Sequence, residues 1–376
     1  MKRSVLPSST RGMINPSSLF RQLDTLPSHD IAAFRASYFQ PQLPVILPRG
    51  QFDHLPAIQK WFSAPSSSTS GSSALPSTNS LNYAYLEKYN SCSVPLEITS
   101  SHDPASPKTA TFQRLHAPLD LFLRWTKTTT SLDAAAAADD DDDDDERNPL
   151  SMRLYVAQCQ LLDLPPALRA DFPTPSLVSE TGKGDVYDTN IWMGIPPTYT
   201  PLHRDPNPNL FVQMAGRKIV RLYAPDSGLA VFQRVRETIL LRQQQQQQEE
   251  EEEEVNVNRI VVGDAKFRGE EMMQGLEKEL LEKAVWGDGT EGRLYGECKG
   301  GNGGIMEGFE AHLNAGDGMF IPMGWWHSII GVGKGITASV RFSPFPLRLS
   351  TAVNIHDLYS QRYLYKLLQS ADCYPN

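Results

Sequence analysis

Cysteine is scarce in this chain of 376 residues: Cys92, Cys159, Cys298 and Cys373 lie far apart and form no CxxC pair. That argues against a zinc knuckle and against the disulfide framework of small secreted domains, and it points to a reducing, intracellular setting, cytoplasm or nucleus. Long apolar runs are missing too. No stretch is long enough to span a bilayer and no signal-peptide core is present, so no membrane partner is expected. Acidic residues are absent from the first 23 positions, which carry Lys2, Arg3, Arg11 and Arg21 among several serines. Mitochondrial transit peptides share that composition, but a plain flexible tail over residues 1–16 is the preferred reading.

The formal net charge of −9 is concentrated: Asp139–Glu146 contributes eight negative charges and Glu249–Glu254 six, which leaves about +5 for the remainder. A mildly basic body with two acidic tracts permits an anionic partner without demanding one. The length suits one large or two ordinary domains with a sizeable core.

Several segments have strand character: Val45–Leu47, Met152–Gln158, Thr189–Ile195, Leu210–Met214, Lys218–Ala224, Gly318–Pro322 and Ile336–Phe342. Short strands punctuated by Gly and Pro predict a mainly β architecture, a double-stranded β-helix of the jelly-roll or cupin kind. Helical spacing is expected over 17–40, over Leu55–Phe62 with Trp61 and Phe62 packing inward, and over His116–Thr126. Ser63–Ser80 reads as a loop. Low-complexity insertions are expected at about 131–148 and 226–308, the latter flanked by a helix over Glu270–Trp286. A barrel domain over 17–345 would then be followed by a helical tail, 346–376. Its apolar face (Leu358, Tyr359, Tyr363, Leu364, Leu367, Leu368) suits packing on the barrel or pairing in a homodimer.

Against this scaffold stands Thr200-Pro-Leu-His-Arg-Asp205, answered much later by Trp325-Trp-His327. His203 and Asp205 are two positions apart, so an extended strand points both to one face. Two histidines and one carboxylate form the facial triad of non-haem Fe(II) oxygenases, which leaves coordination positions open. The pattern His-x-Asp is short and weak alone, and His327 beside Trp326 equally suits a packed core histidine. Fifteen positions beyond His203, Lys218 follows the turn residue Gly216 and opens an apolar strand. A buried lysine is costly unless an anion neutralises it, and a carboxylate of 2-oxoglutarate would do so. Alternation puts Lys218 and Val220 on one face and Arg217 and Ile219 on the other, without saying which face is inward. Thr200 and Tyr155 offer hydroxyls, and Asn209 an amide, that could orient the same ligand. Trp325 and Trp326 are expected to wall the pocket.

The runs Tyr199–Lys218 and Gly316–His327 resemble the JmjC/cupin-like 2-oxoglutarate oxygenases, most closely the small hydroxylase branch typified by the asparaginyl hydroxylase of hypoxia-inducible factor. The resemblance covers roughly 150–225 and 309–343, with a looser likeness at Tyr38–Ile46. It implies that His203, Asp205 and His327 bind Fe(II) and that Thr200, Lys218, Asn209 and Tyr155 contact 2-oxoglutarate, which favours Lys218 over Arg217. It further implies O2 as co-substrate, with succinate and CO2 as co-products. One departure is Arg341, where the asparaginyl hydroxylase has an amide residue.

The leading expectation is an Fe(II)- and 2-oxoglutarate-dependent dioxygenase, a protein side-chain hydroxylase acting on a protein or peptide. The alternatives are a histone or protein lysine demethylase, against which the lack of a chromatin-reader cysteine cluster weighs, and a tRNA nucleoside hydroxylase with RNA as partner. A catalytically silent cupin binding module and a cupin isomerase are the readings from other classes.

Overall fold

Residues 20–63, 80–100, 111–136, 152–182, 186–252, 275–287 and 308–344 are described by the computed structural model of the chain. The N-terminal region contributes β1 (Phe20–Gln22), α1 (Ile31–Phe34) continued by a π-turn over Arg35–Phe39, β2 (Val45–Ile46), α2 (Pro56–Trp61), β3 (Phe62–Ser63), β4 (Ser80–Leu81) and α3 (Tyr83–Leu86). Next come β5 (Ser93–Ser100), β6 (Thr111–Pro118), α4 (Leu119–Ala136), β7 (Met152–Gln160), α5 (Pro166–Arg169) and α6 (Ser176–Thr181). The barrel strands are β8 (Val186–Gly194), β9 (Thr198–Arg204), β10 (Asn209–Ala215) and β11 (Arg217–Tyr223), then β12 (Gly308–Asn314), β13 (Gly318–Ile321), β14 (Trp326–Val332) and β15 (Thr337–Pro344). Between β11 and β12 lie α7 (Pro225–Glu252) and α8 (Gly275–Trp286).

These strands form a five-stranded sheet, β1-β12-β11-β14-β9, and an eight-stranded sheet, β2-β13-β10-β15-β8-β7-β5-β6. From β8 to β15 the chain passes repeatedly between the two sheets, so strands far apart in sequence become neighbours. This is the double-stranded β-helix expected from the strand pattern, and the fold is mainly β. Gly216, at φ +66°, makes the tight passage from β10 to β11. A Cβ there would sit 2.5 Å from the Ile336 carbonyl oxygen, so only glycine fits.

Three apolar clusters follow from the layering. One coats the outer face of the larger sheet, where Phe34, Phe39, Trp61 and Phe122 cover Val212, Phe320, Val340 and Phe342. A second fills one part of the space between the sheets, with Phe211, Val220, Leu222, Leu313, Met319 and Ile329. The third lies outside the smaller sheet, where Val231, Phe232, Leu281 and Val285 of α7 and α8 pack on Tyr223 and Trp326.

Several expectations need correction. The segment around Phe20 is not helical: Phe20–Gln22 pairs in parallel with Gly308–Glu310, because that edge offers it backbone partners and an interior place for Leu23. His116 belongs to β6, paired over eight residues with β5. The helix starts only at Leu119 and runs on to Ala136, into the first expected insertion. The second insertion contains long regular structure, because the glutamine tract continues α7 rather than interrupting it, as glutamine's good helix propensity allows. α8 is described over Gly275–Trp286, and residues 270–274 of the expected helix lie outside the described residues. Strand β2, helix α2 with buried Trp61 and Phe62, and strands β7, β8, β10, β11, β13 and β15 match the sequence reading. The expected tails at 1–16 and 346–376, with the C-terminal dimer helix, lie outside the described residues. Among the described residues no helix is long and apolar enough to cross a membrane.

Candidate metal centre

Opposed residues in an antiparallel pair point to the same face, so strand register states which side chains share the interior. His203 of β9 lies directly opposite His327 of β14. Two positions along β14, Ile329 is opposite Thr200, so three steps on β9 match two on β14. That extra residue is a β-bulge. It places Thr200 and His203 on one face despite their odd separation. Ser328, fully buried beside the bulge, donates to the Thr200 carbonyl at 2.7 Å and accepts from Trp286 Nε1 of α8 at 2.8 Å.

The two imidazole centroids are 4.2 Å apart, and the ligand atoms of His203, Asp205 and His327 all lie within 4.8 Å of one another. Each histidine uses Nδ1 on a backbone carbonyl: His203 on Pro201 at 2.8 Å and His327 on Trp325 at 3.2 Å. A carbonyl can only accept, so Nδ1 carries the proton and each Nε2 keeps its lone pair for a metal. Burial, and then the neighbouring His203, pushes the His327 imidazole down to about 3 and keeps it a neutral ligand. Burial alone would raise the Asp205 carboxyl. Arg341 and the two imidazoles outweigh it and hold Asp205 at about 2, ionised. Asp205 Oδ2 accepts from Asn209 Nδ2 and Arg341 Nη1, both at 2.6 Å. The donor set, its spacing and its tautomers fit a divalent ion with open positions.

Lys218 settles the alternation question: it is 3% exposed while Arg217 faces solvent. On β11 it lies opposite Gly331 of β14, sharing the face of His327. Its ammonium donates to Ser339 Oγ at 2.8 Å, approaches the Tyr155 hydroxyl at 3.5 Å and stands 5.6 Å from the Phe211 ring centroid. No carboxylate pairs with it among the described residues, and burial lowers it to about 7. Tyr155 reaches it from β7 because Gly194 opposite leaves room; a Cβ there would be 2.4 Å from the tyrosine ring. Burial, then the charge of Glu97, raises the Tyr155 phenol and keeps it a neutral donor. An uncompensated buried ammonium beside two hydroxyls suits a carboxylate of 2-oxoglutarate.

The sequence-derived residues therefore converge on one chamber, with Asn209 turned toward Asp205 through its amide nitrogen and its oxygen accepting from Ser343 at 2.7 Å. Trp326 does not belong there. It alternates with His327 along β14, so it points outward and stacks on Phe232 of α7. Trp325 packs in the interior cluster and donates to the Gln42 carbonyl at 3.0 Å. Sequence reasoning missed Ser328 and Ser339, and left Arg341 without a partner. The signal was there: Thr337, Ser339, Arg341 and Ser343 alternate with Ala338, Val340 and Phe342, which marks one polar face of a buried strand.

The architecture and the site define a cupin-type double-stranded β-helix with a two-histidine, one-carboxylate cluster able to hold a metal ion. A family model described as "Cupin-like domain" matches residues 31–355, and the chain belongs to that family. The likeness to JmjC/cupin-like oxygenases drawn from the motifs is thereby borne out. Lysine-specific demethylase 8 of Danio rerio is 40% identical over 80 residues, 21% of this chain and 20% of that protein. Its Xenopus tropicalis namesake is 27% identical over 194 residues, 51% of this chain and 33% of that protein. Lysine-specific demethylase JMJ30 of Arabidopsis thaliana is 41% identical over 69 residues, 18% and 16% of the two chains. The chain thus spans a third or less of these curated relatives.

Proposed function

We propose that the chain is an Fe(II)- and 2-oxoglutarate-dependent dioxygenase that hydroxylates a protein or peptide side chain. The observation carrying the oxygenase reading is the conjunction of the His203–Asp205–His327 triad with Lys218, a buried ammonium that lacks a carboxylate. A cupin isomerase would not need that unneutralised cation, and a silent binding module would not need a complete metal triad beside it. Iron bound by the triad, with 2-oxoglutarate and O2, supplies the power to oxidise a C–H bond. The chain's own groups fix the two histidine tautomers, hold the Asp205 carboxylate through Asn209 and Arg341, anchor the co-substrate at Lys218, and exclude water with Val220, Met319 and Ile329.

Demethylation is the second reading, favoured by the names of the relatives. Hydroxylation leads because the runs Tyr199–Lys218 and Gly316–His327 are most like the small hydroxylase branch. The charge of the chamber favours neither product: Lys218 is taken by the co-substrate, Arg341 pairs with Asp205, and Glu97 lies opposite Tyr155. The test is the product formed from unmodified and methyl-lysine peptide libraries with Fe(II), 2-oxoglutarate and O2. Gain of one oxygen on a recovered peptide, matched by succinate, is expected. Net loss of methyl groups from the methyl-lysine peptides would replace hydroxylation with demethylation.

A further inference from the structure

We infer that Arg341 is a second anion anchor in the chamber, so that a short dicarboxylate is held at both ends, one by Lys218 and the other by Arg341, even without metal. The inference rests on the co-substrate reading above and adds a residue that the resemblance does not supply.

Lys218 is docked on Ser339 Oγ, and Arg341 is two positions further along the same face of β15. Two strand residues span about 7 Å. A five-carbon diacid has four carbon–carbon bonds of about 1.5 Å between its carboxyl carbons, roughly 5 Å when extended. Lysine and arginine thus stand over neighbouring positions of one interior face, where a short diacid can reach both. Register agrees: Arg341 lies opposite Phe211, and Phe211 lies beside the Lys218 ammonium.

The guanidinium has capacity to spare. Nη1 is used on Asp205, and the plane packs 5.0 Å from the Trp192 ring centroid. Its Nε is buried without a hydrogen-bond partner. A buried donor left unmade is costly, and a guanidinium presents its donors as a planar fork matched to carboxylate. An incoming carboxylate would satisfy that fork.

Chelator-treated protein is titrated calorimetrically with 2-oxoglutarate, glutarate and pentanoate, the last having glutarate's length with one carboxylate. Wild type should bind both diacids at least tenfold more tightly than pentanoate. Arg341→Gln should cut diacid affinity at least tenfold and leave pentanoate unchanged, while Arg341→Lys should retain most of the affinity. Lys218→Met should weaken all three. Because Arg341→Gln also uncovers Asp205, the double variant Arg341→Gln/Asp205→Asn is decisive. It should stay weak if Arg341 grips the anion directly, whereas Asp205→Asn alone should bind diacids more tightly than wild type by freeing the guanidinium. Recovery of wild-type affinity in the double variant, or unchanged glutarate binding in Arg341→Gln, overturns the anchor. If the metal-free diacid pattern holds but iron and 2-oxoglutarate form no charge-transfer band, the oxygenase reading falls and the anchor stands. If the band forms and Arg341→Gln binds glutarate normally, the anchor falls alone.

Discussion

Thr200 and His203 are three residues apart yet share the interior face, because the bulge on β9 sets them opposite Ile329 and His327. In a regular strand an odd separation would send one of them outward. The bulge is what brings the predicted co-substrate hydroxyl and the predicted metal ligand into one chamber. It is held from outside the barrel, by Ser328 bonded to the Thr200 carbonyl and braced by Trp286 of α8.

Ser328→Ala should therefore cost stability and loosen the site together. It leaves the Trp286 indole N–H and the Thr200 carbonyl without their shared partner, a loss of about 1–3 kcal/mol. Urea unfolding should show that drop, and metal affinity should fall about 10- to 100-fold, as for groups that orient metal ligands. Unchanged metal affinity would mean that the bulge holds itself.

Gly228→Ala sets two effects against each other. In a helix, alanine gains about 1 kcal/mol over glycine. Here the new Cβ would lie 2.2 Å from the Trp326 ring, which is wedged between Phe232 and the sheet. Overpacking of that kind costs about 1–3 kcal/mol, so net destabilisation is expected by thermal unfolding. A stabilised variant would show that α7 can move away from β14.

Lys218 should make stability rise with pH. Its folded pKa of about 7 lies below the ordinary 10.5, so between those values the unfolded chain holds the extra proton. The penalty is full at or below pH 7 and fades toward 10.5. Lys218→Met should be stabilised relative to wild type by a few kcal/mol at pH 6.5, on the order set by 1.36 kcal/mol per pKa unit. Most of that gap should be gone by pH 9.5, as urea unfolding at the two pH values would show. The same linkage makes dicarboxylate affinity fall as pH rises above 7, up to tenfold per unit.

Asp171 carries no expected role in chemistry and should be a strong stability determinant. It is fully buried and accepts from Lys60 Nζ at 2.6 Å, Trp61 Nε1 at 2.9 Å and the Tyr85 hydroxyl at 2.6 Å. Asp171→Ala strands all three donors and should cost about 3–5 kcal/mol. A loss below 1 kcal/mol would mean that water takes over the site.

Much of the site could be read from the sequence because its residues sit in two short, dense runs, Tyr199–Lys218 and Gly316–His327. The outer frame was legible where one face is apolar, as in β10 and β11. Strands β12 and β14 escaped notice, and β9 entered only as the extended stretch carrying His203. In β9 and β14 both faces are covered, one by α7 and α8 and the other by the metal site, so polar and apolar residues do not alternate in the usual way. Trp326 was misplaced for the same reason: the side chains covering it come from α7, in a segment whose composition signals an insertion. The Arg341–Asp205 contact is out of reach of sequence reasoning, since it joins residues 136 positions apart across two sheets.

The most direct measurement is anaerobic titration of Fe(II) and 2-oxoglutarate into the purified chain, followed by the weak visible metal-to-ligand charge-transfer band. Wild type should develop the band. His203→Ala should lose it, and Lys218→Ala should form it only at raised 2-oxoglutarate. An iron-replete wild type with no band would contradict the oxygenase account and make the barrel a binding module.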